Sequence, residues 1–413
     1  VLNSEKMIAS IEQQDLEHAN KYFQKALKMD DDQTLLALGD YLESIGFFPQ
    51  AKEIYLALKE DYPEVYLNLA QIAADDNQIE EAFLYLDHIS PESDDYVNAL
   101  LVMADLYDLE GLTDVAREKL LEARKISQDP LIIFGLAETE MSLNHFKEAI
   151  DLYASLDNRD ILAITGVSTY QRIGRAYAAL GKFEAAIEFL EKANSIEYDD
   201  DTVYELATLL FEQEEYQKAN LYFKQLETMN PDYLGYEYVY AQSLHAEHKA
   251  EEAMRLVQQA LRKNEFDSQL LLLASQLAFE NHDMEASESY LLKAKEVTTD
   301  LEEVHMRLST LYLDNERYHD VIALEENDIE NLLTKWNIAR AYQELERDDQ
   351  ALSLYRDLEK DLADNPEFLE DYLRMLRLFG MKDKAISVAK TYLNLVPDDM
   401  NMQVLLDDLR SDL

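Results

Sequence analysis

Twelve times along this chain, at intervals of 30 to 37 residues, a position recurs a few places into a helical pattern and about twelve places after a small residue. It is filled by Ala19, Ala51, Ala82, Ala116, Ala149, Ala186, Ala219, Ala253, Ser287, Val321, Ala351 and Ala385. A period near 34 residues holding two helical patterns predicts stacked helix pairs, each too small to bury its own apolar face and therefore dependent on its neighbours. Such a stack works by presenting a surface, so the function is expected to be recognition.

The segment from Tyr170 to Ala193 shows the repeating design most fully. Apolar or small residues recur at three- and four-residue steps on both sides of Gly181, the pattern of two amphipathic helices joined by a tight turn. Gly181 is placed to reverse the chain at positive φ, and Gly46, Gly111 and Gly380 fall at the same place. Asn77 and Asn144 stand there in two other units, the next-best residue for a left-handed cap. Small residues at the eighth place (Gly39, Ala70, Ala104, Ala137, Gly174, Ala207, Ala241, Ser275, Ser309 and Ala339) are expected to let paired helices approach closely. Larger side chains such as Tyr55, Leu86, Leu120, Tyr153, Leu190, Phe223 and Tyr355 are expected to fill the space on the second helix, and Pro63, Pro231 and Pro397 close units.

This constellation resembles the tetratricopeptide repeat (TPR) over residues 1 to 400, and as a whole chain is similar to the cytoplasmic multi-TPR proteins of low-GC Gram-positive bacteria. The resemblance implies an all-α fold: a right-handed α-solenoid of about twelve helix-turn-helix units, capped by a final helix over 399–412. It further implies an N-terminal array over 1–320, an irregular junction over 321–335, where Val321 replaces alanine and the second helix is short, and C-terminal units with the cap over 336–413. One departure is the near absence of the family's early tryptophan, since the sole example, Trp336, falls one place late in the register.

In TPR arrays the first helices line a concave groove. Carried over residue by residue, the resemblance implies an early groove of Asp40, Glu43, Asn68, Gln71, Asp75, Asp105, Asp108 and Glu138, a middle with Arg172 and Arg175, aromatics Tyr204, Phe211, Tyr238 and Phe279, and a late part with Trp336, Asn337 and Arg340. Trp336 is expected to be partly water-exposed, and Arg172 and Arg175, one turn apart, to engage a single carboxylate-bearing segment. The ordered Lys and Asn set of the family's chaperone-tail clamp is not matched.

Charge narrows the partners. The 85 acidic and 37 basic residues give a formal net charge of -48, which disfavours nucleic acid and anionic lipid headgroups, both normally bound by clustered Lys and Arg. From Glu60 to Asp114 there are fifteen acids, with no Lys or Arg between Lys59 and Arg117. Charges sharing one wall raise the local concentration of oppositely charged ligands, so the expected partner is a protein or peptide with a basic segment. Within this stretch Asp61, Asp94 and Asp95 are read as helix caps. No run approaches the ~18 apolar residues of a membrane span, no basic-then-apolar leader opens the sequence, and zero cysteines suits a reducing compartment, so a cytoplasmic protein without membrane insertion is expected.

Chemical motifs are weak. Asp30 to Asp32 and Asp199 to Asp201 precede first helices and read as caps, not cation sites. The stretch Asp75 to Glu80 fails the calcium-loop pattern, with Ile79 in place of an oxygen ligand. His245 and His248 lack the spacing of a zinc-binding helix and suit a turn at a helix end. There is no phosphate-binding glycine loop and no nucleophile elbow. We therefore expect a non-enzymatic adaptor or assembly factor, with no cofactor, metal or catalytic residue. The alternative is a helical-repeat enzyme, or enzyme subunit, with scattered carboxylates converging in a central cleft.

Overall fold

The computed structural model describes residues 2–411, the Asn327 side chain excepted; Val1, Asp412 and Leu413 lie outside the described residues. Among these residues every regular element is a helix. The chain divides into two compact units, up to Gln213 and from Glu214.

The first unit runs α1 (Asn3–Glu12), α2 (Leu16–Met29), α3 (Asp32–Ser44), α4 (Phe48–Leu58), α5 (Val65–Asp75), α6 (Ile79–Leu86), α7 (Tyr96–Leu109), α8 (Thr113–Ile126), α9 (Pro130–Ser142), α10 (Phe146–Ala154), α11 (Asn158–Thr165), α12 (Thr169–Ala179), α13 (Phe183–Ile196) and α14 (Asp200–Glu212). Consecutive helices α1 to α10 pack as antiparallel pairs, as do α12 and α13. The second unit runs α15 (Tyr216–Met229), α16 (Tyr236–Ala246), α17 (Ala250–Lys263), α18 (Ser268–Glu280), α19 (Met284–Val297), α20 (Leu301–Asp314), α21 (Tyr318–Ala323), a 3-10 turn (Leu324–Asn327), α22 (Leu332–Glu344), α23 (Asp348–Leu358), α24 (Pro366–Leu378), α25 (Lys382–Leu395) and α26 (Met400–Ser411). Here the pairs are α16/α17, α18/α19, α20/α21, α22/α23 and α24/α25, and α26 packs on α25.

Every one of the twelve recurring positions is buried, from Ala51 at 0% exposure to Ala19 at 3%. Close approach explains why they are small. A methyl group added at Gly39 would stand 2.8 Å from Tyr55 Cε1, and one at Gly174 would stand 2.8 Å from Leu190 Cγ. Larger side chains at the small positions would push the paired helices apart. The buried apolar residues then continue from repeat to repeat, in one run from Met7 to Leu106 in the first unit and another from Leu271 to Leu406 in the second.

The turn between paired helices is a Schellman-type reversal. The Phe47 N–H donates to the Leu42 carbonyl across Gly46, and the Lys182 N–H to the Tyr177 carbonyl across Gly181, satisfying carbonyls at the helix end. Gly46, Gly111, Gly181, Gly380, Asn77 and Asn144 all take positive φ. Gln14, His248, His282, Glu316 and Glu346 take it too, so the reversal is imposed even where the residue resists it.

Asp31 and Asp199 cap α3 and α14 through the backbone N–H groups of Thr34 and Thr202, and His248 is the turn residue after α16, as read from sequence. The cap reading fails in the acidic stretch. Asp95 holds the N-cap position of α7 without a side-chain bond, and α5 starts from Glu64, not Asp61. Turns of backbone hydrogen bonds lead into both helices, Tyr66 N–H to Pro63 and Tyr96 N–H to Ser93, which leaves the carboxylates outside.

Helix α11 is an addition the repeat reading did not anticipate. It fills the longest interval, between Ala149 and Ala186, and α10 is correspondingly short. Asp157 caps it by accepting from the Arg159 and Asp160 N–H groups, and Gly166 ends it at φ 71°. The buried Asn158 Oδ1 accepts from the Thr169 backbone N–H and hydroxyl, fixing α11 on α12.

Gly39→Ala gains up to about 1 kcal/mol of helix propensity. Overpacking against the rigid Tyr55 ring costs about 1–3 kcal/mol, so the urea midpoint falls; a rise would show that the helices have room to part. His305 on α20 is buried at 2% exposure, and neither ring nitrogen has a hydrogen-bond partner among the described residues. Burial first, then the charge of Lys295, lowers its pKa. The unfolded chain therefore takes up a proton as pH falls through about 6.5 while the folded chain does not, and stability declines on that side. His305→Leu should raise the melting temperature, by a gain of about 1–3 kcal/mol, and flatten the decline below pH 6.5; an unchanged pH profile would contradict this.

Candidate functional site

All the sequence-predicted groove residues lie on first helices of pairs or on α14. Asp40 and Glu43 are on α3, Asn68, Gln71 and Asp75 on α5, Asp105 and Asp108 on α7, and Glu138 on α9. Arg172 and Arg175 are on α12, Tyr204 and Phe211 on α14, Tyr238 on α16, Phe279 on α18, and Trp336, Asn337 and Arg340 on α22.

The structure joins several of them through partners on neighbouring helices. The Tyr55 hydroxyl, rising from the core of α4, donates to Glu43 at 2.6 Å and Asp40 at 3.0 Å, and Asn68 Nδ2 donates to Glu43 at 2.8 Å. Burial, then the hydrogen bond to Glu43 and its charge, holds the Tyr55 phenol far above its usual pKa, so it stays a donor. Tyr153 stands equivalently on α10, four residues after its alanine, and donates to Glu138. The repeated device is a buried tyrosine whose tip fixes a surface carboxylate from beneath. The sequence reading took both tyrosines as space-fillers; their place four residues after an alanine, opposite first-helix acids, was the available signal.

The two arginines each form an ion pair within the fold, with different carboxylates. Arg172 Nε donates to Glu138 at 2.7 Å, tying α12 to α9, and Arg175 pairs with Glu205, tying α12 to α14. In an acid-rich chain a base on a packed helix face finds a carboxylate on the next one. Arg117 does the same with the buried Glu140 at 2.6 Å, and Glu140 also holds His145 Nδ1 at 2.7 Å.

Two further expectations are corrected in the second unit. Trp336 is 4% exposed, not water-facing, and Asn337 is 2% exposed. The indole meets Phe368 edge-on, donates to Asp371 at 3.1 Å and lies under the Arg340 guanidinium at 4.1 Å. Arg340 itself donates to Asp371 at 2.6 Å. Asn337 Nδ2 donates to the hydroxyls of Ser309 and Thr310 on α20. The tryptophan's late place in the register turns it into the seam between repeats, where its large apolar face gains burial.

Gln71, Asp75, Asp105 and Asp108 are exposed. The last three have no ion-pair partner among the described residues; Asp108 accepts only from the Thr113 hydroxyl. Helices α5 and α7 pack side by side. Asp105 reaches solvent, yet surrounding protein mass raises its pKa, and Asp108 one turn along raises it further. Of the fifteen acids from Glu60 to Asp114, Glu81 has an ion pair among the described residues, with Lys52. Tyr238 accepts from Gln242, and Phe279 lines an apolar hollow of about 290 Å³ with Leu291 and Met306. Among the described residues no cluster has the composition of a metal site, and no helix is long and apolar enough to cross a membrane.

Three parts of the chain match family models. Residues 333–399 match YpiA-like, C-terminal tetratricopeptide repeats, residues 109–161 match YpiA-like, tetratricopeptide repeats, and residues 167–200 match the general tetratricopeptide repeat. TPR repeat-containing protein YpiA of Bacillus subtilis (strain 168) is 25% identical over 362 residues, covering 86% of this chain and 84% of that protein. Among solved structures, a chain of the APC/C hetero-tetramer Cut9-Hcn1 is similar with a TM-score of 0.40 and 13% identity, covering 98% of this chain and 95% of that one. YrrB, a TPR protein with an unusual peptide-binding site, is similar with a TM-score of 0.38 and 19% identity, covering 45% of this chain and 94% of that one.

Burial of the single tryptophan gives a direct readout of the α22–α24 seam. Emission should be blue-shifted and weakly quenched by acrylamide, and Arg340→Ala, which strips the cation from the indole face, should increase quenching. Red-shifted, freely quenched emission from the unaltered protein would return Trp336 to the surface.

Proposed function

Because this chain is a tetratricopeptide-repeat protein, YpiA-like and homologous to the Bacillus subtilis protein across most of its length, we propose that it is a non-enzymatic cytoplasmic scaffold or adaptor that docks a basic segment of a partner protein on the wall formed by α5 and α7. TPR repeats imply protein partners; the charge preference and the place are our reading. The observation that carries it is the exposure, without ion-pair partners, of Asp75, Asp105 and Asp108 on packed neighbouring helices, inside a stretch holding no base between Lys59 and Arg117.

Elsewhere in the first unit, the first-helix carboxylates Glu43, Glu138, Glu140 and Glu205 are bound by Tyr55, Asn68, Arg172, Arg117 or Arg175. Those contacts consume charge to join repeats. On α5 and α7 the charge remains outward, where it can attract a cationic segment and orient its approach. Desolvation of Asp105 strengthens the attraction, since a carboxylate backed by protein is screened less than one surrounded by water.

The test uses a labelled lysine-rich peptide with the full-length chain. Asp75→Asn, Asp105→Asn and Asp108→Asn combined should weaken binding about tenfold or more at low salt while leaving helical content unchanged. Affinity should also fall on acidification. Burial, then the neighbouring Asp108, raises the pKa of Asp105, so its charge is lost at a higher pH than an ordinary aspartate's and contributes to this decline. Binding that ignores both the triple substitution and pH would reduce the acidic wall to a solubility feature.

A further inference from the structure

The second unit carries a cleft of the opposite character. It holds about 660 Å³ between the C-terminal half of α17, the connector into α18 and the outer face of α19, and its walls include Arg262, Lys263, Glu265, Phe266, Tyr290 and Lys293. Three cations against one carboxylate is a local reversal in a chain of net charge -48.

Ordinary structural roles account for part of this cluster only. Lys263 is used within the fold: its ammonium donates to the Pro231 carbonyl at 2.6 Å and faces Glu237 at 3.5 Å. Arg262 shares the last turn of α17, where positive charge complements the helix dipole. Arg262 and Lys293 are both exposed and have no ion-pair partner among the described residues. Other bases, among them Arg172, Arg175, Arg307, Arg317 and Arg340, are paired with carboxylates.

The connector adds an apolar element. Phe266 is 68% exposed, although the bend does not require an aromatic residue: Asn264 Oδ1 accepts from the Phe266 N–H, and Asp267 caps α18 through the Leu270 N–H. These bonds hold the backbone on both sides of Phe266 and leave its ring in water. Exposing a phenylalanine ring costs the burial free energy it gains in any contact that covers it. Tyr290, half-buried opposite, supplies a second aromatic surface with its hydroxyl near Gln258.

We propose that this cleft docks an acidic peptide segment of a partner protein, in which carboxylates meet Arg262 and Lys293 and an adjacent aromatic or aliphatic side chain covers Phe266. Guanidinium and ammonium groups lining a concavity select carboxylates, and the exposed ring selects a sequence that is not merely charged. A bilayer of anionic lipid fits less well, because the net charge of -48 repels an anionic surface and one of the three cations, Lys263, is already held within the fold. The inference does not depend on the basic segment proposed for α5 and α7. It makes the protein a connector with two docking surfaces of opposite preference.

Fluorescence anisotropy of the full chain with a labelled Asp- and Glu-rich peptide carrying one phenylalanine tests it. Saturable binding is expected at low ionic strength, weakening as salt is raised. Arg262→Glu with Lys293→Glu should reduce affinity about tenfold or more, and Phe266→Ser, or a peptide lacking its phenylalanine, should reduce it severalfold. Circular dichroism should be unchanged, since these side chains are exposed; the milder Arg262→Gln with Lys293→Gln provides the readout if the charge reversal disturbs folding. The Asp75, Asp105 and Asp108 triple variant should bind this peptide undiminished, which separates the two surfaces. Failure to bind at about 1 mM peptide, or binding untouched by both charge variants, would overturn the proposal. So would loss of binding to phosphatidylserine vesicles, but not to the peptide, in those variants.

Discussion

The contact on which this structure depends is the close approach of two helices across a position too small to keep them apart. Gly39 beneath Tyr55 and Gly174 beneath Leu190 are its tightest instances, and buried alanines occupy the recurring place on the opposing helix. A pair joined in this way still has apolar faces to cover, and the next pair covers them. Stability is therefore built from neighbour to neighbour, and no central core is required. That arrangement leaves one face of each first helix outside the packing and available to other uses.

The charges on that face fall into two groups. Where a carboxylate is met by a buried tyrosine, an asparagine or an arginine from a neighbouring helix, it helps fix adjacent elements, as Glu43 does with Tyr55 and Asn68 and Glu138 does with Tyr153 and Arg172. Where no such donor is supplied, on α5 and α7, the field is directed to solvent. Some bases of this chain are spent inside the fold, as Arg172, Arg175 and Arg340 are, whereas Arg262 and Lys293 share the walls of one cleft with the exposed Phe266.

The period near 34 residues and the small eighth position, filled in ten of the twelve units, made the helical repeats legible, because close pairing of the helices favours both. The reversal between helices was legible only where glycine or asparagine stands. Glu316 and Glu346 take the same positive φ, and nothing in a glutamate signals that, since the conformation is imposed by packing on both sides. Helix α11 hid inside one long interval, although Asp157 and Gly166 mark both of its ends. The candidate surface was legible by helix but not by side chain. Spacing places Trp336 and Asn337 on a first helix, yet whether a residue faces water or the seam turns on about 100° of rotation per residue, and one place decides it. The ion pairs of Arg172 and Arg175 were not legible for another reason: their partners Glu138 and Glu205 lie about one repeat away on either side, beyond any local pattern.

Hydrogen exchange of the full chain, with and without a saturating lysine-rich peptide, tests most directly the claim that recognition resides on the outward carboxylates of packed first helices. Slowed exchange confined to α5, α7 and the turns beside them, with α22 and α24 unaffected, is the predicted result. Protection spread evenly along the chain, or centred on the Arg172 and Arg175 ion pairs, would contradict it.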